Sequence, residues 1–201
     1  MTKRVSLPDK WLEDQSWFLA DLTFPFEGHG FWADLTGGVL FCSYGDLLSD
    51  KVHHVDMGFI NLPPGCQRPG LRHSREAVWP AVSRTMGYSG VSIKFVSIDG
   101  FLEQVTPADR KVTVWKLLDR KTWVIQHEVS LESQLKQELS KAKLPEHMTV
   151  MYPILSTREE HVIYIILSMK GMQSGGGVGL LGEHFEREDF VSQVTCWRVK
   201  H

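Results

Sequence analysis

Short runs of apolar residues, separated by turn-forming residues, recur along the chain and predict β-hairpins. Residues 112–118 and 123–129 are two such runs, and the polar sequence Asp119-Arg-Lys-Thr between them fits a tight turn. Two further runs flank Thr36-Gly37-Gly38, where both glycines would accept positive φ. Asp34, just before that turn, can accept hydrogen bonds from turn amides.

Four other segments have strand-like patterns. Residues 55–59 alternate as a half-buried strand does, and residues 91–101 predict a strand, a turn and the start of another strand. Residues 161–169 hardly alternate, which predicts burial on both faces, and residues 194–199 form a final short strand. Because no regular crossover helices separate the strands, an antiparallel sheet is favoured over a parallel one.

Residues 130–144 carry the one clear helical pattern. Leu131, Leu135 and Leu139 recur at four-residue spacing and place apolar side chains on one face. Ser130 fits the N-cap position, and Pro145 follows as a stop signal. The fold class predicted is therefore mainly β (α+β), an antiparallel meander with one helix at about 130–144.

Three regions are predicted along the chain: an N-terminal extension (1–30), a β-rich domain (31–170) and a divergent glycine-rich tail with the final strand (171–201). No signal peptide is expected, since Asp9 precedes any apolar stretch. No membrane span is expected either, because the longest apolar run, 162–167, is far below the roughly 20 residues that a spanning helix needs.

Charge and cysteine usage narrow the function classes. The formal net charge is −2 and basic and acidic residues are interspersed, which argues against nucleic-acid binding. Three cysteines without a Cys-x-x-Cys pair are typical of reduced thiols. We therefore expect an intracellular protein, most simply a cytoplasmic one.

Two motifs suggest ligand binding but lack the context they need. Gly177-Val-Gly-Leu-Leu-Gly182 matches the dinucleotide fingerprint, but seven residues separate it from the preceding strand, so a loop is the favoured interpretation. In His53-His54-x-Asp56, neighbouring strand residues point to opposite faces, so only His54 and Asp56 can share one. Two ligands are fewer than a closed zinc site has, and surface polarity is favoured over a metal site.

Four remaining features resemble functional sites, but each has a simpler structural interpretation. Gly87-Tyr-Ser-Gly-Val departs from a nucleophile elbow at Val91, and Cys42 ends an apolar strand as a small buried hydrophobe would. Glu159-Glu160-His161 is interpreted as solvated charge in a turn, and 183–189 as a charged mobile surface rather than a partner contact. The sequence therefore assigns no catalytic, cofactor-binding or metal-binding residue, and predicts no cofactor and no enzyme.

An ordered set of segments stands out between about residues 31 and 169: Trp32-Ala-Asp-Leu-Thr-Gly-Gly-Val-Leu-Phe-Cys, the segment from Asp56 to Pro64, Gly90-Val-Ser-Ile-Lys-Phe-Val-Ser-Ile-Asp-Gly, Val114-Trp-Lys-Leu with Trp123, Tyr152-Pro-Ile-Leu-Ser and Val162-Ile-Tyr. Together these segments resemble a plant family, expanded in the grasses, known as domain of unknown function 1618. After Lys170 the chain departs from the family pattern, which fits a shortened member.

The resemblance implies a propeller-like fold, here a partial propeller. It also implies a non-catalytic protein-interaction or regulatory module in plant stress response or reproductive compatibility, including an antidote-like role. Exposed sheet edges would serve a protein partner or a homo-oligomer. The alternative is a small-molecule-binding protein or hydrolase with a pocket between sheets.

Overall fold

Thirteen β-strands account for most of the residues that the computed structural model describes, which are 2–8, 18–68, 79–99, 109–131, 140, 149–168 and 193–198. The strands are β1 (Arg4–Ser6), β2 (Leu22–Phe26), β3 (His29–Asp34), β4 (Gly38–Ser43), β5 (His54–Asp56), β6 (Gly58–Asn61), β7 (Arg84–Ser89), β8 (Ser92–Ile98), β9 (Lys111–Leu118), β10 (Thr122–Ser130), β11 (Thr149–Leu155), β12 (Val162–Ser168) and β13 (Gln193–Arg198). One short helix, α1 (Tyr44–Leu48), follows β4, and a 3-10 turn (Pro80–Val82) precedes β7.

The strands form three antiparallel meanders and one small parallel pair. Sheet 1 has the order β2-β3-β4-β6, sheet 2 the order β7-β8-β9-β10, and sheet 3 the order β11-β12-β13. Strands β1 and β5 pair in parallel beside them. The mainly β, antiparallel fold class predicted from the sequence is confirmed.

Sheet 2 lies between the other two sheets, and the side chains of β8 explain how. Ile93 and Phe95 point into an apolar cluster shared with sheet 1, whereas Val96 and Ile98 point into a second cluster shared with sheet 3. All seven residues of β8 are buried. Successive strand residues face opposite sides, so a strand whose residues are all buried must be covered by other parts of the protein on both sides.

The three meanders contact one another through their first strands. Strand β2 of sheet 1 contacts β7 of sheet 2, and β7 also contacts β11 of sheet 3. Successive meanders that meet at their first strands are arranged like neighbouring blades of a propeller. In the described part of the chain these three blades do not close into a ring.

Two local expectations need correction. Residues 55–59 are not one strand. β5 pairs with β1, whereas β6 joins sheet 1. At the start of β6, Gly58 lies against the Phe41 ring, where a side chain would not fit. The turn after β3 does not use positive φ at Gly37 or Gly38. Gly38 is needed instead because a Cβ atom there would lie 2.7 Å from the Ile60 carbonyl oxygen.

The predicted helix at 130–144 lies almost entirely outside the described residues. Ser130 ends β10, and Leu131 is helical and buried in the cluster between sheets 2 and 3. The glycine-rich stretch before β13 lies outside them too. The hairpin predicted at Asp119 is confirmed, with the Lys121 amide donating to the Leu118 carbonyl at 3.0 Å.

Candidate functional site

The outer edge of sheet 2 is a nine-residue strand that carries exposed apolar side chains. β10 is last in the strand order of its sheet, and within it Val124 is 37% exposed and Ile125 is 60% exposed. Ile125 pairs with Trp115, which pairs in turn with the fully buried Phe95. An apolar row therefore runs across the sheet from the core to a water-exposed edge.

The first half of β10 is held firmly on the body of the protein. The indole Nε1 of Trp123 donates to the Asn61 carbonyl oxygen at 2.7 Å, which ties β10 to the end of β6 in sheet 1. The rings of Trp115 and Trp123 pack around Phe95, with centroids 5.5 and 6.3 Å from it. A rigid edge loses little conformational entropy when a partner binds it.

The second half of β10 follows a register shift between Ile125 and His127. Beyond it, Lys111 Nζ donates to Glu128 Oε2 at 2.7 Å, and this hydrogen bond raises the pKa of Lys111. Bulges and charged residues are both features that limit uncontrolled pairing at sheet edges. The exposed apolar part of the edge is therefore confined to the segment 122–125.

A group of polar contacts around Lys94 joins sheet 2 to sheet 3. Lys94 is 1% exposed, and its Nζ donates to the Glu160 carbonyl oxygen and lies 3.7 Å from Glu160 Oε1. Ser89 Oγ donates to the Glu159 and Glu160 carbonyls at 3.4 and 3.3 Å. Burial lowers the pKa of Lys94, Glu160 opposes that shift, and Lys116 adds to it.

We expect Lys94→Met to remove a pH-dependent part of the stability. Because the folded pKa of Lys94 is lowered, the unfolded chain binds this proton more tightly, so stability rises with pH up to about 10.5. Urea unfolding at neutral and at alkaline pH should show that the wild type gains more stability from the rise in pH than the variant does. The exposed Lys121→Met is the control and should keep the wild-type dependence; equal pH dependence in all three proteins would contradict the expectation.

The pair His54 and Asp56 shares a face, as the sequence predicts, and is joined by Ser6. His54 Nε2 lies 2.7 Å from Ser6 Oγ and 3.1 Å from Asp56 Oδ1. A catalytic triad needs the hydroxyl and the carboxylate on different ring nitrogens, and here both contact the same one. Among the described residues no group of three or more His, Cys, Asp or Glu side chains could hold a metal ion.

The other residues weighed as sites are placed as follows. Ser89 lies in a strand–turn–strand hairpin with Gly90 at φ +60°, whereas a nucleophile elbow leads into a helix. Cys42 is buried. Burial is the larger cause of its raised thiol pKa and the charge of Asp46 is the smaller one, so the thiol stays protonated. The motifs at 177–182 and 183–189 lie outside the described residues.

The interpretation of Glu159-Glu160-His161 as solvated charge was wrong for Glu160. Its carboxylate and its carbonyl both face the buried Lys94, and the His161 ring packs edge-on against His127 with centroids 5.9 Å apart. One sequence signal could have revealed this, because Lys94 shares a strand face with the apolar residues Val96 and Ile98, and a lysine on a buried face needs a partner.

These features define a mainly β protein of stacked, blade-like meanders with an apolar strand edge at its periphery. Within the described residues, no helix is both long and apolar enough to cross a membrane. The chain belongs to the family described as protein of unknown function (DUF1618), whose model matches residues 32–164, about two thirds of its length. The matched region runs from β3 to β12 and so includes parts of all three sheets. No curated protein and no solved structure matches the chain.

Proposed function

We propose that the protein is an interaction module that binds an extended segment of a protein partner along β10. The observation that carries the proposal is the exposure of Ile125 at the end of the apolar row through Trp115 and Phe95. A strand added beside 122–125 would bury that side chain and satisfy outward-facing backbone groups of β10. Addition of a strand to a sheet edge is an established mode of peptide recognition.

The chemistry of the edge defines the partner segment. It would be extended, with apolar side chains at adjacent positions, because Val124 and Ile125 point to opposite faces of sheet 2. The charged pair Lys111–Glu128 and the register shift limit pairing beyond Ile125. The bound segment would therefore be short and defined in register.

A regulatory setting is the second part of the proposal. The resemblance to a grass-expanded plant family implies roles in stress response or reproductive compatibility. A module that recognises short extended segments of other proteins suits a regulatory role in these processes. We place it in the cytoplasm, where the buried thiols of Cys42 and Cys66 would stay reduced.

We expect Ile125→Glu to weaken partner binding strongly without unfolding the protein. Peptides selected from a random display library should bind the wild type, and the variant should bind them at least about tenfold more weakly, because a central apolar contact is replaced by a desolvated charge. The matched control is Leu48→Glu, at a 76% exposed apolar site on α1, which should stay within about twofold.

Hydrogen exchange on the complex locates the peptide. Protection on binding should appear at 122–125 and nowhere else along the chain. Peptides that bind Ile125→Glu as well as the wild type, or that protect another segment, would refute the proposal. A dimer of the wild type that Ile125→Glu dissociates would also refute it, since the occupant of the edge would then be a second copy.

A further inference from the structure

Both ring nitrogens of His29 are hydrogen-bonded, and the partners fix where its proton lies. Nε2 is 3.1 Å from Nη1 of Arg120, and Nδ1 is 2.8 Å from the Glu27 carbonyl oxygen. An arginine side chain only donates hydrogen bonds, so Nε2 must accept. The proton therefore lies on Nδ1 and is donated to Glu27, which makes His29 a neutral imidazole of defined tautomer.

The contact joins the turn between β2 and β3 to the turn between β9 and β10, and so joins sheet 1 to sheet 2. Glu27, Asp119 and Arg120 all adopt positive φ, between 44° and 53°, which is unfavourable for residues other than glycine. This backbone conformation brings the Arg120 guanidinium to His29 and to within 3.5 Å of Glu27 Oε2. Positive φ at both central residues is the conformation that two-residue hairpin turns favour, and here both turns carry a residue of this contact between sheets.

We propose that His29 is a proton-operated latch between these two turns. Protonation would put a second N–H on Nε2, facing a guanidinium that also can only donate, and two positive charges would meet. Among the described residues, Arg120 Nη1 and the Glu27 carbonyl oxygen contact the ring nitrogens, and the Phe31 and Phe41 rings lie 6.5 and 6.1 Å from the imidazole. The Glu27 carboxylate lies 3.5 Å from Nη2 of Arg120. Protonation breaks the Arg120 contact and draws the Glu27 carboxylate toward the imidazolium.

The consequence is local. β10 begins at Thr122, two residues after Arg120, so release of the turn loosens the start of β10. The latch stands on the His29 contacts alone and does not require that β10 bind a partner.

The imidazole nitrogens of the wild-type protein test the tautomer directly. Long-range proton–nitrogen NMR spectra near pH 8 should show the His29 proton on Nδ1. A proton on Nε2 at that pH would overturn the proposal, because Nε2 could then not accept from Arg120. This measurement needs no variant and does not depend on partner binding.

Hydrogen exchange tests the release. Between about pH 8 and pH 5, exchange at 119–122, corrected for its intrinsic pH dependence, should rise about tenfold, while the amides of β8 stay protected. His29→Gln, which is neutral throughout, should lose this dependence, and the exposed His53→Gln should keep it. The proposal would be overturned if exchange at 119–122 had the same pH dependence in His29→Gln as in the wild type, or if it did not change with pH in the wild type. If His29→Gln fails to fold, the pH dependence of exchange in the wild type and the tautomer of His29 test the proposal.

Discussion

Replacing Arg84 by Ala will lower the free energy of unfolding by about 3–5 kcal/mol. The Arg84 side chain is 2% exposed, and its Nη1 donates to the Leu35 and Cys66 carbonyl oxygens at 3.0 and 2.7 Å. It thereby ties two loops of sheet 1 to the first strand of sheet 2. Alanine would leave buried acceptors unsatisfied and open a cavity, and both effects destabilise the folded state. Urea unfolding followed by circular dichroism measures the loss.

Arg68 provides a matched control for Arg84. Its Nη1 also donates to two carbonyl oxygens, those of Gly65 and Gln67 at 2.6 and 2.8 Å, but in an exposed setting. Water can replace those bonds, so Arg68→Ala should cost less than about 1 kcal/mol. If both variants lost the same free energy of unfolding, burial would not be the reason that the Arg84 hydrogen bonds stabilise the protein.

Asp34→Ala should destabilise the protein by about 2–4 kcal/mol. Asp34 is buried at the end of β3, and its Oδ1 accepts from the Thr36 amide at 2.8 Å, the Thr36 hydroxyl at 2.6 Å and the Gly37 amide at 3.1 Å. Its Oδ2 accepts from the Leu19 amide at 3.3 Å. Loss of the carboxylate removes all four bonds at once. Thermal and urea unfolding would both report the change.

Two further variants make the test of Asp34 specific. Asp34→Asn keeps an oxygen for the three donors at Oδ1 and should fall between the wild type and Asp34→Ala. Asp56→Ala removes a carboxylate whose side chain is 85% exposed and should stay within about 0.5 kcal/mol of the wild type. If Asp34→Asn loses as much as Asp34→Ala, the turn bonds are not the source of the stability.

Local signals account for what the sequence predicted correctly. The β9–β10 hairpin was predictable because a polar turn lies between two apolar runs, and all of its determinants are neighbours in sequence. Asp34 was expected to bind turn amides for the same reason, and it does. The broad rings of Trp115 and Trp123 both pack against Phe95 in the cluster between sheets 1 and 2.

What the sequence missed depends on contacts between distant segments. Lys94 is buried because Glu160, 66 residues later, covers it, and no local pattern records that pairing. The glycine pair at Gly37-Gly38 suggested a turn conformation, but the constraint at Gly38 comes from β6, the neighbouring strand in the sheet. The exposure of Ile125 likewise follows from strand order, which alternation alone does not specify.

The burial of β8 on both faces has a consequence for how the molecule unfolds. Strand β8 has no water-facing side of its own, since Phe95 packs in the cluster shared with sheet 1 and Val96 packs in the cluster shared with sheet 3. Separating either neighbour would expose the apolar side chains on one side of β8, so partly unfolded forms are costly and prone to aggregate. We therefore expect the three meanders to unfold as a single cooperative unit.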